Sequence, residues 1–459
     1  MWFVHQMKNW IRTAHRCGGA IAAATVVSLG TTIFLGAAPA VAAGGLIRDA
    51  EIEATLKKLA RPVFDAAGLS LQTVPFFIIE DDSINAFVAA GGRSLFLHTG
   101  LLSRLEAPEE LIGVIAHEVG HITSGHIVRR IDAMQNARIQ AMIATILGIG
   151  VGVGAGNAGA GIGAKSIGDR IAERKLLKFT RSQEASADQA ALQFMNRANI
   201  DPSAMLNVLQ RLQREQAIFI GQVDPYALTH PLSSQRIALL ERGVKASPAL
   251  GNKVGRDLAY WHGRMRAKLA GFLAPPEQIG GQRFSDPELE LYRQTIALHR
   301  LPAPDRAIAS ADKLIDLRPN DPYYLELKGQ ILAESGRAAL AVAPYEKALR
   351  LEPDSALIAG GLAEALLAVG SAKSLRRALG VLKKAAVDDA YAPRIKRALA
   401  IAYARNGDPG MATVITSERL ALIGRLAEAK SQARRAQALL PSGSPGWIRA
   451  DDVLSLPGG

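Results

Sequence analysis

The sequence predicts two units of different fold class: an α+β unit that is mainly helical with a small sheet, and an all-α solenoid after it. Residues 74–79 and 94–98 are short apolar runs bounded by proline, glycine and acidic residues, which is typical of strands. After residue 285, helical hairpins recur with a period of 34 residues. At 459 residues, 49% of them hydrophobic, the chain can bury at least two cores.

The N-terminal segment, residues 1–43, predicts a secretory signal peptide. Three basic residues and no acidic one precede an apolar, uncharged run, 20–41, that ends in small residues suited to cleavage. An uncleaved membrane anchor is the alternative, because the run is long enough to span a bilayer. We therefore expect a periplasmic protein, either free or membrane-associated. Cleavage would remove the single Cys17 and so exclude disulfides and cysteine-based metal sites.

An HExxH motif places His117, Glu118 and His121 in a predicted helix, residues 109–126. The segment has apolar residues at helical spacing, after a proline and two glutamates suited to a first turn. Residues i and i+4 share a helix face, so the two imidazoles can bind one Zn²⁺. Glu118 can then act as general base toward a water on that metal. The motif predicts a zinc hydrolase.

A third protein ligand is needed, and the metzincin arrangement does not supply it. In HExxHxxGxxH the glycine would fall at Ser124 and the last histidine at Ile127. His126 is one residue short of that position. We interpret His126 as a polar residue near the site, with a surface or packing histidine as the alternative.

Glu184 is the better candidate for the third ligand. It lies four residues before Asp188 on a second predicted amphipathic helix, from about Asp169 to Asn196, whose other face is apolar. Asp188 could accept a hydrogen bond from the far nitrogen of a ligating imidazole and so fix its tautomer. The alternative is an ordinary acidic pair on a solvated face.

Residues 50–270 resemble the gluzincin peptidases of the HtpX and CAAX-prenyl-protease superfamily. The whole chain is similar to the periplasmic branch with tetratricopeptide repeats, the β-barrel-assembly-enhancing proteases. The matching residues are Asn85-Ala86-Phe87, Gly91-Gly92, Gly100-Leu101-Leu102, the HEVGH motif, Glu184 with Asp188, and Thr229-His230-Pro231 followed by Arg236. The resemblance implies a zincin-like metalloprotease domain with one zinc ion held by His117, His121 and Glu184, and with Glu118 as base.

The resemblance also implies the substrates, which are unfolded, misfolded or stalled envelope proteins. It further implies that the strand at 93–98 is a sheet edge along which substrate lies. An exposed edge can hold an extended peptide by main-chain hydrogen bonds, so side-chain selectivity would be weak. A plain core role for the strands is the alternative.

His230 and Arg236 form a third candidate group, for which we expect catalytic roles. Pro231 fixes the local backbone, and Ser233 or Ser234 can cap the helix that carries Arg236. His230 could donate a hydrogen bond to the tetrahedral oxyanion. It could instead act as a fourth zinc ligand that displaces water and inactivates the enzyme. A structural loop histidine is the remaining alternative.

A glycine-rich segment, residues 139–168, separates the two metal-binding segments. Its first part, 139–164, carries no charge and contains eight glycines. Glycine costs a helix interior about 1 kcal/mol relative to alanine, which disfavours a stable lone helix. We predict a mobile lid that contacts a membrane surface, with a transmembrane hairpin as the alternative.

The charge of the chain favours anionic partners. The formal net charge is +12. Outside the cytoplasm, lipid headgroups or lipopolysaccharide suit such a surface better than nucleic acid. The sequence contains no recognisable nucleic-acid-binding module, so we expect no nucleic-acid partner.

Residues 286–442 predict a tetratricopeptide repeat domain, joined to the catalytic domain, 44–273, by a linker, 274–285. Residues 443–459 are predicted to be a C-terminal tail. Because the linker separates the units, we expect a chain ending near Phe272 to fold, bind zinc and cleave a small unfolded substrate. The period is visible in Lys313 and Lys347, Leu317 and Leu351, Pro319 and Pro353, and Gly336 and Gly370.

Stacked helix pairs form a concave groove for an extended partner. The resemblance implies that this groove binds the outer-membrane assembly machinery, and we expect it to position substrate. Cationic residues could line the groove, although solvated helix faces are the alternative; they are Arg376, Arg377, Lys383, Lys384, Arg394, Lys396 and Arg397.

The sequence therefore predicts a zinc endopeptidase of the cell envelope that degrades misfolded or stalled envelope and outer-membrane proteins and assists their assembly. A chaperone or adaptor that acts through its repeats is one alternative. An integral inner-membrane quality-control protease, retained by an uncleaved N-terminus, is another. The intact Glu118 argues against a pure scaffold, because binding alone does not require that carboxylate.

Overall fold

The structure, a computed structural model, describes residues 45–89, 94–126, 181–218, 230–275, 284–301 and 303–456. The predicted signal peptide, residues 1–43, and the predicted lid, residues 139–168, lie outside these stretches. Within them, no helix combines the length and the apolar character that crossing a membrane requires.

A four-stranded mixed sheet forms one layer of the catalytic domain. Its strands are β1 (Leu46–Ile47), β2 (Phe76–Ile79), β3 (Ala86–Ala89) and β4 (Ser94–His98), in the spatial order β1-β2-β4-β3. β4 is parallel to β2 and antiparallel to β3, and β1 is antiparallel to β2. The predicted strands at 74–79 and 94–98 are confirmed, and β1 and β3 are additions.

Among the described residues, the terminal strand beside the metal motif is β3, and the prediction of an edge at 93–98 is wrong. β4 pairs with β2 on one side and with β3 on the other, so it lies inside the sheet. β3 was not recognised because it has four residues, all buried, without the alternation that marks a half-exposed strand.

Helices pack against one face of the sheet and carry the metal motif. In the described stretches they are α1 (Ala50–Ala67), α2 (Thr99–Arg104), α3 (Pro108–Thr123), α4 (Arg181–Arg197), α5 (Ser203–Ile218), α6 (Ser234–Lys245) and α7 (Arg256–Leu273). Their apolar side chains share one buried cluster with the inward side chains of the strands. The predicted metal helix is α3, and the described part of the second predicted helix is α4.

Two glycines let the metal helix contact its neighbours closely. A Cβ on Gly120 would lie 2.7 Å from the carbonyl oxygen of Ala187 in α4. A Cβ on Gly113 would lie 2.9 Å from the Cβ of Met205 in α5. Only glycine permits such an approach without moving a helix. Because Gly120 lies between the two histidines of the motif, its contact brings α4 to the metal-binding face.

The repeat region is a solenoid in which each helix packs against the next. Gly336 and Gly370, a pair in the predicted 34-residue spacing, both end a helix in the left-handed conformation, with φ of 80° and 75°. The spacing therefore marks equivalent turns. The helices are α8 (Pro287–Arg300), α9 (Pro304–Leu317), α10 (Pro322–Glu334), α11 (Ala338–Leu351), α12 (Ala356–Val369), α13 (Ala372–Asp388), α14 (Pro393–Arg405), α15 (Pro409–Leu422), α16 (Leu426–Leu439) and α17 (Pro445–Leu454).

The C-terminal segment 443–459, predicted to be a tail, contains α17. Ser444 caps this helix by accepting a hydrogen bond from the backbone N–H of Trp447. Ala450 and Val453 are buried in a cluster with α15 and α16. The segment resembled a loop because it is rich in glycine, proline and serine, yet Ser-Pro is also a good helix start.

The catalytic unit and the solenoid share buried structure. Most of the predicted linker, 274–285, lies outside the described residues. Met265 and Leu269 of α7 belong to the catalytic core. Ala267 of the same helix belongs to the core formed with α8, α9 and α10. The last helix of the catalytic unit is therefore also the first layer of the solenoid.

A buried cluster of charges connects α1, α7 and α10. Arg264 of α7 is fully buried and forms ion pairs with Glu51 of α1 and with Asp321 at the start of α10. Its guanidinium carbon lies 3.9 Å from the ring centre of Tyr324. Lys268, one turn later, lies 2.8 Å from Asp49 and 3.2 Å from Glu51. Although burial opposes it, Glu51 and Asp321 hold the pKa of Arg264 well above its usual range.

Candidate metal centre

Four buried side chains converge between α3, α4 and the turn that precedes α6. Donor atoms of His117, His121, Glu184 and His230 all lie within 4.8 Å of one another. His121 Nε2 is 3.1 Å from His117 Nε2 and 3.3 Å from Glu184 Oε1. Each of the four side chains belongs to a residue that is at most 1% exposed. The structure thus brings the three predicted ligands together and adds His230 to the group.

The elements explain why these side chains meet. His117 and His121 lie one turn apart on α3, and Glu184 and Asp188 lie one turn apart on α4, so each helix presents two polar groups on one face. The contact at Gly120 sets the two faces against each other.

Asp188 and Arg236 lie behind the donor atoms. His117 Nδ1 is 2.9 Å from Asp188 Oδ1, as predicted for an acid that fixes the tautomer of a ligand. Arg236 donates from Nε and Nη2 to the two oxygens of Asp188, at 2.5 and 2.8 Å. Its Nη1 is 2.5 Å from Glu184 Oε2. These contacts give Arg236 a positioning role, and Ser233 caps its helix at Arg236 N.

The pKa shifts of Glu184 and His121 suit a metal centre. Although burial opposes it, the positive charges of His230 and Arg236 hold the pKa of Glu184 well below its usual range. Burial lowers the pKa of His121 to about 3, which keeps that imidazole neutral. An ionised carboxylate and a neutral imidazole are the forms that bind a metal ion.

Glu118 is fully buried beside this group. Its Oε1 lies 3.5 Å from His230 Nε2, and the backbone N–H of Val88 in β3 also interacts with the carboxyl group. Burial is the largest influence and raises the pKa of Glu118 to about 8, although the charge of His230 opposes it. An ionised carboxyl group in such a buried place needs positive charge nearby. A divalent cation among the four donors fits this charge distribution.

His230 joins the donor group to the terminal strand of the sheet. Its Nδ1 is 3.0 Å from Glu184 Oε1 and 3.3 Å from His117 Nε2. Its Nε2 is 3.2 Å from the carbonyl oxygen of Ala86 in β3. The sequence left the role of this histidine open and gave no sign of its contact with β3, because that contact joins residues 144 positions apart.

His126 also contacts the centre. Its Nδ1 is 3.0 Å from Nδ1 of His121, and the residue is 6% exposed. The spacing of five residues gave no clear indication of this contact, since residues i and i+5 lie on different faces of a helix.

The cationic residues that were predicted to line the repeat groove largely pair with acids on the same helix or on nearby helices. Such local pairs favour the alternative of solvated helix faces. The pairs are Arg377 with Glu346, Lys384 with Asp388, Arg394 with Glu364, and Lys396 with Glu418. Lys383 lies over the ring of Tyr403.

Comparison with known families agrees with this architecture. Residues 47–244 match peptidase family M48, and residues 280–415 match a tetratricopeptide repeat family. The chain carries an M48 peptidase domain followed by tetratricopeptide repeats. It is a metalloprotease, as the sequence predicted.

Relatives with curated names share this organisation to different extents. The chain is 24% identical to the beta-barrel assembly-enhancing protease of Yersinia pestis over 387 residues, 82% of this chain and 77% of the relative. It is 30% identical to the protein of that name in Escherichia coli strain K12 over 36% of this chain and 33% of the relative. It is 29% identical to protease HtpX of Stutzerimonas stutzeri over 41% of this chain and 71% of the relative.

Proposed function

We propose that this protein is a zinc endopeptidase of the cell envelope that removes misfolded or stalled envelope proteins and assists outer-membrane protein assembly. The observation that carries the proposal is the convergence of His117, His121 and Glu184 beside the buried carboxyl group of Glu118. The relatives named beta-barrel assembly-enhancing protease support the substrate class.

The chemistry is divided among these side chains. His117, His121 and Glu184 would hold the ion, and bound zinc would polarise the scissile carbonyl and acidify an attacking water. The carboxylate of Glu118 accepts the proton of that water and donates it to the leaving amine. Asp188 orients His117.

The edge of β3 offers a place for an extended substrate. β3 is the terminal strand of the sheet, and Ala86 presents its carbonyl oxygen to His230 at the metal centre. A peptide added to this edge would be held by main-chain hydrogen bonds, with little demand on its side chains. Weak selectivity suits an enzyme that acts on unfolded segments of many proteins.

We assign His230 to the position of a fourth zinc ligand in a closed state. Its Nδ1 lies among the donor atoms, which favours this role over that of an oxyanion donor. Its Nε2 donates to Ala86 O, so the same ring covers the metal position and a main-chain acceptor of the edge strand. Displacement of His230 would free both at once.

Three wider features belong to the same proposal. The protein reaches the periplasm through a signal peptide, residues 1–43, and it contacts a membrane surface through residues 139–164. The repeats recruit the outer-membrane assembly machinery and position substrate. The names of the relatives and the match to a repeat family support this placement.

Separate removal of ligation and of base catalysis tests the proposal. We expect Glu184→Ala to lose zinc and proteolysis, as should His117→Ala and His121→Ala, whereas Glu118→Gln should keep zinc and lose proteolysis. The exposed Glu106→Gln is the control and should match wild type. Metal analysis and casein digestion of the purified variants are the measurements. Full zinc content in Glu184→Ala would remove the third ligand from the proposal.

A further inference from the structure

We propose that His126 is a positioning residue for the metal centre, which accepts a hydrogen bond from Nδ1–H of His121 and so orients that ligand. The inference rests on the proposed zinc site. His121 turns Nε2 toward the other donors, 3.1 Å from His117 Nε2. Its opposite nitrogen, Nδ1, is 3.0 Å from Nδ1 of His126. The two rings meet at 68°, with their centres 5.1 Å apart.

The chemistry of imidazole fixes the direction of this hydrogen bond. A neutral ring that offers the lone pair of Nε2 to a metal carries its proton on Nδ1. His121 is therefore the donor, and Nδ1 of His126 accepts with its lone pair. His126 must then carry its own proton on Nε2. One hydrogen bond thus selects a tautomer in both rings.

His126 reaches this place because the metal helix stops. α3 ends at Thr123, and Gly125 adopts the left-handed conformation with φ of 63°. In a continuing helix, a residue five positions on would point away from His121. The turn at Gly125 folds the chain back, so that His126 is buried against the ring.

The two histidine ligands then have different supports. His117 is held by the carboxylate of Asp188, at 2.9 Å, and His121 by the neutral ring of His126. The centre already contains the buried carboxyl groups of Glu118, Glu184 and Asp188. Another carboxylate beside them would add buried negative charge. A neutral acceptor orients His121 without adding negative charge.

The test measures the zinc affinity of the full-length protein by competition with a chromogenic chelator. Loss of a hydrogen-bond partner of a ligand costs about 10–100-fold in metal affinity, so we expect His126→Leu to weaken zinc binding by that factor. The oxygen of Asn overlays Nδ1 of histidine, so His126→Asn should recover affinity to within about threefold of wild type. The control is His262→Leu, which removes an equally buried histidine outside the centre and should leave zinc affinity unchanged.

The melting temperature of the zinc-free proteins separates positioning from packing. A positioning role predicts that His126→Leu and His126→Asn melt alike without zinc and differ in the stabilisation that added zinc produces. Wild-type zinc affinity in His126→Leu overturns the assignment of His126 and leaves the proposed function intact. Equal loss of affinity in both variants, with a lower melting temperature without zinc, also overturns it. Failure of the wild-type protein to bind zinc overturns the proposed function itself.

Discussion

At the residue scale, the two ring nitrogens of His230 contact different partners, Glu184 and the carbonyl oxygen of Ala86. We predict that His230→Ala increases casein cleavage and produces self-cleavage, because the ring no longer covers the donor group. Initial rates and gel analysis of the purified variant measure both effects. The double variant with Glu118→Gln is the control and should be inactive. A fall of roughly 10²–10³ in kcat would instead identify His230 as an oxyanion donor.

Glu326 makes stability depend on pH. Burial is the main influence, and with the charges of Asp49 and Glu51 it raises the pKa of Glu326 from 4.5 to about 8, against the opposing Lys268. The folded state therefore holds a proton that the unfolded state has lost between these values. Stability should fall as pH rises from about 4.5 to about 8, and the full cost remains above pH 8.

The variant Glu326→Gln should remove this slope. Since each pKa unit corresponds to about 1.4 kcal/mol, we expect the advantage of the variant over wild type in unfolding free energy to be larger at pH 9 than at pH 5 by more than about 1 kcal/mol. Urea unfolding of the zinc-free proteins at both values is the measurement. An identical difference at pH 5 and pH 9 would show that the carboxyl group does not titrate in this range.

At the element scale, the contact between α3 and α4 depends on Gly120. We predict that Gly120→Ala separates the helices and weakens zinc binding at least tenfold, because the new methyl group would lie 2.7 Å from the carbonyl oxygen of Ala187. Chelator competition and the melting temperature measure the change.

The matched control is Gly380→Ala in α13, where no atom lies within 4 Å of an added Cβ. There the substitution should stabilise the protein by about 0.5–1 kcal/mol through helix propensity alone. If Gly120→Ala kept wild-type zinc affinity and stabilised the protein as Gly380→Ala does, then the close contact at Gly120 would not be needed to align α3 and α4.

The sequence predicts those elements that carry a strong local sequence pattern, and it does not predict those that lack one. The HExxH motif and the apolar residues at helical spacing around it identify α3, and the 34-residue period identifies the solenoid. Each of these signals can be seen within one stretch of sequence. β3 and α17 have no such pattern, being short and composed of residues that also suit other structures. Contacts such as His230 with Ala86 depend on tertiary packing, which one segment does not encode.

At the scale of the whole molecule, the shared helix α7 changes what a shortened chain should do. A chain ending at Phe272 loses Asp321 and Tyr324 and exposes the side of α7 that carries Ala267. We predict that it melts at a lower temperature than a chain ending at Gly336, which keeps α8, α9 and α10. Thermal unfolding of the two chains, followed by circular dichroism, measures the difference.

The expected difference in melting temperature between the two shortened chains is electrostatic in origin. Removal of one partner from a buried ion pair costs about 3–5 kcal/mol, because the remaining charge stays in a poorly solvating place. Replacing both Arg264 and its remaining partner, by Arg264→Met with Glu51→Gln, should therefore recover part of the loss in the shorter chain. Equal melting temperatures of the two unsubstituted chains would restore the prediction that the catalytic unit folds independently of the repeats.

The charge cluster at Arg264 also bears on how such proteins diverge. Glu51, Arg264 and Asp321 are distant in sequence but touch in a fully buried place, so a charge change at one of them alone would be strongly selected against. These positions should change together among homologues. Lineages that lost the solenoid should carry uncharged residues where both Arg264 and Glu51 stand. Exchange of repeats between distant members should fail unless all three residues are transferred together.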